Sequence, residues 1–185
     1  MSNTYGYSYY VLHVRTRGEE NFMREARSIC HDKAISLYFP RRSLDIRRKG
    51  VIIPSRPAVF PGCVFLELAT DEDARRYLWA FRKIKGFYRF LRSNKDITPL
   101  QNRDLEVVLH FIKKSGPLAE KSKVYFDENS RIVVMQGPLS GLEGRIVKVD
   151  KRKKRAKIRL DLYGDSFSVD LAFEVLVKPG TVIIK

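Results

Sequence analysis

The chain is poor in the residues that reactions and cross-links need. It has 2 cysteines in 185 residues, Cys30 and Cys63, which form no C-x-x-C pair. Two buried, reduced thiols are expected of such spacing. Its 3 histidines, His13, His31 and His110, are scattered along the chain with no H-x-x-x-H spacing, so no metal site is expected. Gly137, Gly141 and Gly144 are not followed by the Lys-Ser/Thr of a phosphate-binding loop, and there is no G-x-S-x-G elbow. No catalytic residues and no cofactors are therefore expected, and the chain does not read as an enzyme. No apolar run approaches the roughly 20 residues of a membrane span, so no membrane partner is expected. The first residues lack a charged-then-apolar signal, which makes a cytoplasmic location the expectation.

Negative charge is also scarce. Against 36 Lys and Arg stand 21 Asp and Glu, giving a formal net charge of +15 and a pI near 10.0. Such a balance attracts polyanions without separating DNA, RNA and anionic membrane. The hydrophobic content of 44% is ordinary for a folded chain, and the length allows one or two domains.

What is present concentrates in the last third. Met135-Gln136-Gly137-Pro138-Leu139-Ser140-Gly141-Leu142-Glu143-Gly144 is a glycine-punctuated turn, and Ile146, Val147 and Val149 then read as a strand. Lys151-Arg152-Lys153-Lys154-Arg155 then makes a dense cationic hairpin tip. The following strand puts Lys157 and Arg159 on one face and Ile158 and Leu160 on the other. A basic tip on a small barrel can neutralise several phosphates. The plainer alternative is a solvated face, but mixed-sign charge is expected there and Asp150 is the only nearby acid.

Two further basic regions precede it. Arg41 and Arg42 lead into a hairpin over Leu44–Ile53 that carries Arg47, Arg48 and Lys49, with Lys49-Gly50 at its turn and Pro54 and Pro57 ending it. Arg75, Arg76, Arg82, Lys83, Lys85, Arg89 and Arg92 have no acid among them and are interleaved with Tyr77, Trp79, Phe81, Phe87 and Tyr88. Such mixing suits single strands, through stacking plus charge, although Phe81 and Phe87 read better as core and Trp79 stays open between the two.

The first two thirds alternate strands and helices. Ser8 to Val14 reads as a strand, and a helix from Glu19 to Cys30 is expected to bury Phe22, Met23, Ala26, Ile29 and Cys30. Ala58 to Leu68 reads as a central strand. A helix opened by Asp71, Glu72 and Asp73 runs to about Lys83, and Phe87 to Arg92 follows as a strand. Thr98-Pro99 opens a last helix with an apolar stripe of Leu105, Val108, Leu109 and Ile112, broken at Ser115-Gly116-Pro117. The fold class expected is α+β: an N-terminal antiparallel sheet with helices packed on it, then a small all-β SH3-like barrel. The boundaries read as 1–115, a linker at 116–123, and 124–185.

The strand, G-P-L-x-G-x-x-G turn and strand around residues 137–149 resemble the KOW motif of ribosomal proteins and of the NusG family of transcription elongation factors. The match continues through Leu162-Tyr163-Gly164-Asp165 and Val169-Asp170-Leu171. Tyr9-Tyr10-Val11-Leu12-His13-Val14, Gly18, Glu20-Asn21, Phe39-Pro40-Arg41-Arg42, Phe60-Pro61-Gly62-Cys63-Val64-Phe65 and Gly86-Phe87 resemble the landmarks of a NusG N-terminal domain. The chain departs from the family in having Tyr9-Tyr10 for Trp-Tyr, and Cys63 where an aromatic is usual.

The resemblance implies an elongation and antitermination factor that acts by binding, as a monomer. Its N-terminal domain would contact RNA polymerase, both the paired clamp helices of the β′ subunit and the β subunit. His13, Phe60, Pro61, Cys63 and Phe65 are the implied polymerase-binding residues, with Phe65 read equally as core. Lys85 would face the non-template DNA. The KOW domain would take structured leader RNA on Lys151, Arg152, Lys153, Lys154, Arg155, Lys157 and Arg159. The dense tip most resembles LoaP, a specialised group within the family. Two alternatives stay open: a housekeeping NusG whose KOW domain binds a ribosomal protein or Rho, and a KOW-containing ribosomal or ribonucleoprotein assembly protein.

Overall fold

Alternation of large apolar side chains along Tyr7–Val14 (β1) makes this strand two-faced, and the first sheet is built around it. The computed structural model describes residues 6–30, 35–69 and 73–177. In chain order β1 is followed by α1 (Glu19–Ile29), β2 (Ser36–Tyr38), β3 (Arg41–Arg42), β4 (Leu44–Arg48), β5 (Val51–Ser55), β6 (Cys63–Ala69), α2 (Arg75–Arg82), β7 (Phe87–Phe90) and α3 (Asn102–Leu109). A wider helical turn, His110–Lys114, extends α3. Strands β8 (Leu118–Ala119), β9 (Ser122–Phe126), β10 (Ile132–Gln136), β11 (Ile146–Asp150), β12 (Arg155–Leu162) and β13 (Asp165–Val175) complete it. Two compact units result: Met1–Phe39 with Phe60–Val108, and Pro40–Val59 with Leu109–Lys185.

In the first unit the sheet order is β2-β6-β1-β7, antiparallel throughout, so β6 is central as its apolar sequence predicts. On one face Leu12, Val14, Val64, Leu66, Leu68 and Phe90 pack against Phe22 and Ala26 of α1 and Tyr77 and Phe81 of α2. Phe22 and Phe81 meet edge-on at 5.7 Å. On the other face Glu67 accepts hydrogen bonds from the Tyr9 hydroxyl at 2.5 Å and the Tyr38 hydroxyl at 3.1 Å. A buried carboxylate left without donors would be costly, and two phenols supply them. This gives Tyr9 a polar partner for its hydroxyl.

Several boundaries differ from those expected. The central strand opens at Cys63, because Gly62 lies in the left-handed region (φ +77°) and turns the chain into β6. The Gly62 N–H donates to the buried Glu19 carboxylate at 2.8 Å, pinning that turn to the start of α1. Helix α3 starts at Asn102, after Leu100 donates its N–H to Tyr9 O at 2.7 Å and holds the preceding chain extended against β1. The expected strand from Phe87 to Arg92 ends at Phe90. Asp71, Glu72 and His31 lie outside the described residues; Asp73 Oδ1 accepts the Arg75 N–H at 2.9 Å and caps α2. Pro54 lies within β5, where a two-stranded ribbon tolerates a missing donor.

The second unit carries a five-stranded sheet of order β10-β9-β13-β12-β11. The 11-residue strand β13 joins its halves. It pairs antiparallel with β12 over Asp165–Ala172 and then parallel with β9 over Phe173–Val175, as a small SH3-like half-barrel requires. Ala156, Ile158, Leu160 and Leu162 of β12 point inward and Lys157, Arg159 and Asp161 outward, as the alternation predicts. Val124, Leu139, Leu142, Val169, Leu171 and Phe173 complete the buried set.

Residues 40–59 group with this barrel, and the segment 116–123 contains β8 and the first residues of β9. Arg41 and Arg42 pair in parallel with Leu118 and Ala119, and Ser43 donates its N–H to Ala119 O at 2.9 Å. These main-chain bonds tie the inserted ribbon β4–β5 to the barrel unit. The ribbon turns through Lys49 (φ +48°) and Gly50 (φ +82°), the two positive angles of a tight hairpin.

The glycine turn before β11 is closely packed. Gly137 has φ +102°, and a Cβ there would fall 2.7 Å from Ser122 Cα. Ser122 is buried and its Oγ accepts the Leu139 N–H at 2.9 Å. Gly164 has a similar angle, φ +87°, with nothing within 4 Å. Both Gly→Ala substitutions carry conformational strain of about 1–2 kcal/mol, and only Gly137→Ala adds a main-chain clash. Urea unfolding should show Gly137→Ala losing clearly more stability than Gly164→Ala; equal losses would mean the close approach contributes nothing.

Candidate nucleic-acid interface

The loop 151–154 owes its shape to Asp150 and to two carbonyls. Asp150 Oδ1 accepts the Lys153 N–H at 2.8 Å, and the loop closes through Lys154 N–H to Lys151 O at 3.3 Å. The Lys153 bond, followed by the charges of Lys153, Arg152 and Lys148, holds the Asp150 carboxyl below its usual range. Lys154 sits at φ +52°, and its carbonyl accepts the Phe173 N–H at 2.9 Å. Lys151 lies over the Phe126 ring at 4.2 Å. The tip is thus a held turn presenting exposed Lys151, Arg152, Lys153 and Lys154.

Arg155 is separate from that set. It is half-buried, and its guanidinium donates to the main-chain oxygen of Asp45 on the ribbon. The Asp45 carboxylate meets Lys121 Nζ at 2.7 Å, which holds the Lys121 ammonium above its usual value. Arg42 reaches the same neighbourhood and donates to Ala58 O. Burial lowers its pKa, Asp170 opposes this and Arg155 adds to it. Lys157 lies 4.0 Å from Asp170, and Arg159 donates to Ser166 Oγ at 3.2 Å, so both barrel-face cations have cross-strand partners.

The turn 137–144 is partly occupied from within the same unit. His110 Nε2 lies 2.7 Å from Pro138 O, and Lys114 Nζ donates to Ser140 O at 2.9 Å. A carbonyl only accepts, so Nε2 must carry the proton in the neutral ring. No sequence motif announces this docking, because the residues are 28 and 26 positions apart.

In the first unit Arg75, Arg76, Arg82, Lys83, Lys85, Arg89 and Arg92 are all exposed. Phe81 is fully buried and Phe87 packs against the core, whereas Trp79 is 70% exposed and Tyr88 55%. Arg82 lies over the Trp79 ring at 5.2 Å. Lys85 precedes Gly86, whose carbonyl accepts the Arg15 N–H at 2.7 Å and fixes the turn into β7.

The apolar candidates divide. Phe60 and Phe65 are fully buried and meet edge-on at 5.2 Å, so in this structure neither stands as an exposed anchor. Pro61 is exposed, and His13 and Cys63, opposite one another on β1 and β6, are half-buried. His13 rests edge-on against Tyr88 at 5.2 Å. Burial, followed by the Glu19 charge, pushes the Cys63 thiol up to about 12, which makes it a poor nucleophile at neutral pH. Among the described residues no group of His, Cys, Asp or Glu is placed to hold a metal ion, and no helix is long and apolar enough to cross a membrane.

The chain thus combines, in two units, an antiparallel sheet backed by helices and an SH3-like half-barrel, each carrying exposed cations, which is the architecture of a two-module binding protein. The family model described as "Transcription termination factor nusG" matches residues 7–109. The chain therefore belongs to the NusG family of transcription termination/antitermination factors. It is similar to the NusG of Neisseria meningitidis, with 23% identity over 176 residues covering 92% of this chain and 97% of that one. The NusG of Bacillus subtilis is 24% identical over 176 residues, covering 92% and 98%. A solved structure described as "Domain interaction in Thermotoga maritima NusG" shares the fold, with a TM-score of 0.57 and 17% identity over 90% of this chain and 93% of that one.

The placement of His110 has a pH consequence. Burial holds the His110 pKa below 6.5, partly offset by the Pro138 bond, and burial and Arg89 do the same for His13. Below 6.5 the unfolded chain then takes up more protons than the folded one, so stability falls as pH falls. His110→Gln keeps a donor for Pro138 but does not titrate. Between about pH 7.5 and 5.5 its urea midpoint should fall less than that of the unchanged chain. Identical falls would show that His110 titrates alike in both states.

Proposed function

We propose that the chain is an elongation and antitermination factor that acts by binding, in the cytoplasm and as a monomer. Its first unit contacts RNA polymerase and its barrel binds structured RNA. The observation that carries this reading is the held tip with four exposed cations. Asp150, the acid beside them, is engaged by the Lys153 N–H and lies 3.9 Å from the Lys153 ammonium, so it offsets one of the four. A-form duplexes are recognised through shape and backbone, which suits a rigid basic protrusion. The tip is also what aligns the chain with the LoaP group.

For polymerase, the accessible surface is Pro61 with His13, Cys63 and Tyr88 around it, and Phe60 and Phe65 support it from below. The exposed cations around Lys85 and Trp79 suit the non-template strand, by charge and by stacking.

The test is RNA binding at several salt concentrations with Lys151→Gln, Arg152→Gln, Lys153→Gln and Lys154→Asn combined. Arg155 is left in place because it holds the ribbon. Each phosphate that the variant no longer neutralises should lower the slope of log K against log salt by about one. An unchanged slope would move the barrel to a protein partner, such as a ribosomal protein or Rho.

A further inference from the structure

Two of the basic segments that the sequence separates by about a hundred residues belong to one compact unit. The ribbon β4–β5 carries exposed Arg47, Arg48 and Lys49 at its turn. The barrel carries exposed Lys151 to Lys154 at its own. Ribbon and barrel are joined by the β3–β8 ladder, the Asp45–Lys121 ion pair, the Arg155 bond to Asp45 O, and the packing of β4 near β13. Leu44 at the ribbon base is buried, while the tip stands clear of the fold.

Three acids near the two tips have partners of their own. Asp45 is held by Lys121, Asp170 lies against Lys157, and Asp150 caps its own loop while its other oxygen lies 3.9 Å from Lys153 Nζ, so it offsets one of the four barrel-tip cations. Arg155, the tip cation nearest the ribbon, donates to the main-chain oxygen of Asp45 and so fastens the ribbon to the barrel. An unfastened charged arm would adapt to any polyanion. A second cationic prong fixed to the barrel presents a set spacing of positive charge, and it can discriminate by backbone geometry.

We propose that the ribbon tip Arg47-Arg48-Lys49 and the barrel tip Lys151–Lys154 form one two-pronged surface for A-form duplex RNA, with Arg155, Asp45 and Lys121 as the positioning residues that fix the prongs together. The proposal rests on the RNA reading of the barrel tip and extends it to a segment that lies, in sequence, inside the polymerase-binding module. The fit is to duplex phosphate because both prongs are main-chain turns bearing cations, and the ring nearest the barrel tip, Phe126, is half-buried and covered by Lys151 at 4.2 Å.

The experiment uses the full chain and an RNA duplex of about 16 base pairs, long enough to present two successive minor grooves. The ribbon variant is Arg47→Gln/Arg48→Gln/Lys49→Asn; asparagine suits the positive φ at 49. The barrel-tip variant is the one already described. A control, Arg24→Gln/Arg27→Gln/Arg103→Gln, removes the same charge from the other unit. Melting temperatures of all variants are compared first, to establish that each is folded. The ribbon variant should bind roughly tenfold more weakly at about 0.1 M salt, with a slope lower by up to about three. The control should bind as the unchanged chain does. Combining both tip variants should lower the slope by the sum of the separate effects, and a DNA duplex of the same sequence should bind less well than RNA.

Loss of binding in the barrel-tip variant with none in the ribbon variant would overturn the two-pronged surface and leave the RNA reading standing, with the ribbon free for a protein partner. Equal losses in ribbon variant and control would reduce the effect to net charge. Equal binding of RNA and DNA duplexes would overturn the A-form preference. Undiminished binding in both tip variants would remove the RNA reading itself.

Discussion

The shortage of carboxylates is the constraint that organises this molecule. With a formal charge of +15, cations cannot be neutralised one by one, and repulsion between them opposes compaction. Some carboxylates pair with nearby cations, as Asp45 does with Lys121 and Asp170 with Lys157, and several are committed to main-chain or phenol donors. Glu19 holds the Gly62 N–H, Glu67 two phenols, Asp127 the Asn129 and Arg131 N–H groups, and Asp150 the Lys153 N–H. A carboxylate used to pin a turn stabilises geometry at that point and leaves distant cations uncompensated. Turns become rigid, and positive charge remains at their tips.

The same constraint explains how the inserted ribbon is fastened. A two-stranded hairpin is marginal on its own. Here Leu44 is buried at its base, and Asp45 engages Lys121 through its carboxylate and Arg155 through its main chain. The exposed ion pair alone contributes at most about 1 kcal/mol, so the β3–β8 ladder and the buried base carry most of the attachment. Towards the tip the ribbon face that begins with Leu44 and Ile46 continues into Ile53 and Val51, which are 45% and 62% exposed. Apolar cover is concentrated at the base, and charge is displayed at the end.

In the first unit the sheet separates support from display. One face is closed by helix side chains around Phe22 and Phe81, and the other is ordered by Glu67 and its two tyrosines. What stays accessible lies at the margins: Pro61 on the turn into β6, His13 against Tyr88, and Trp79 beneath Arg82 on the outer side of α2.

Much of this was legible in the sequence. Period-two alternation in β1 and β12 and helical spacing in α1 follow from which faces must be hidden from water, a local matter. The Lys49-Gly50 turn and the basic barrel tip were equally legible, because turn chemistry and charge density are local. The outer limits of β6 and α3 were not, since a left-handed Gly62 held by Glu19 and a Leu100 N–H captured by Tyr9 depend on residues far along the chain. Nor was the fate of Phe65, apolar enough to be anchor or core, until the fold buried it. The grouping of residues 40–59 with the barrel, the withdrawal of Arg155 from the tip, and the docking of His110 on Pro138 were decided by tertiary structure alone. Sequence determines what each segment can offer, while which carbonyl or carboxylate a side chain reaches depends on the approach of segments that carry no mark of one another.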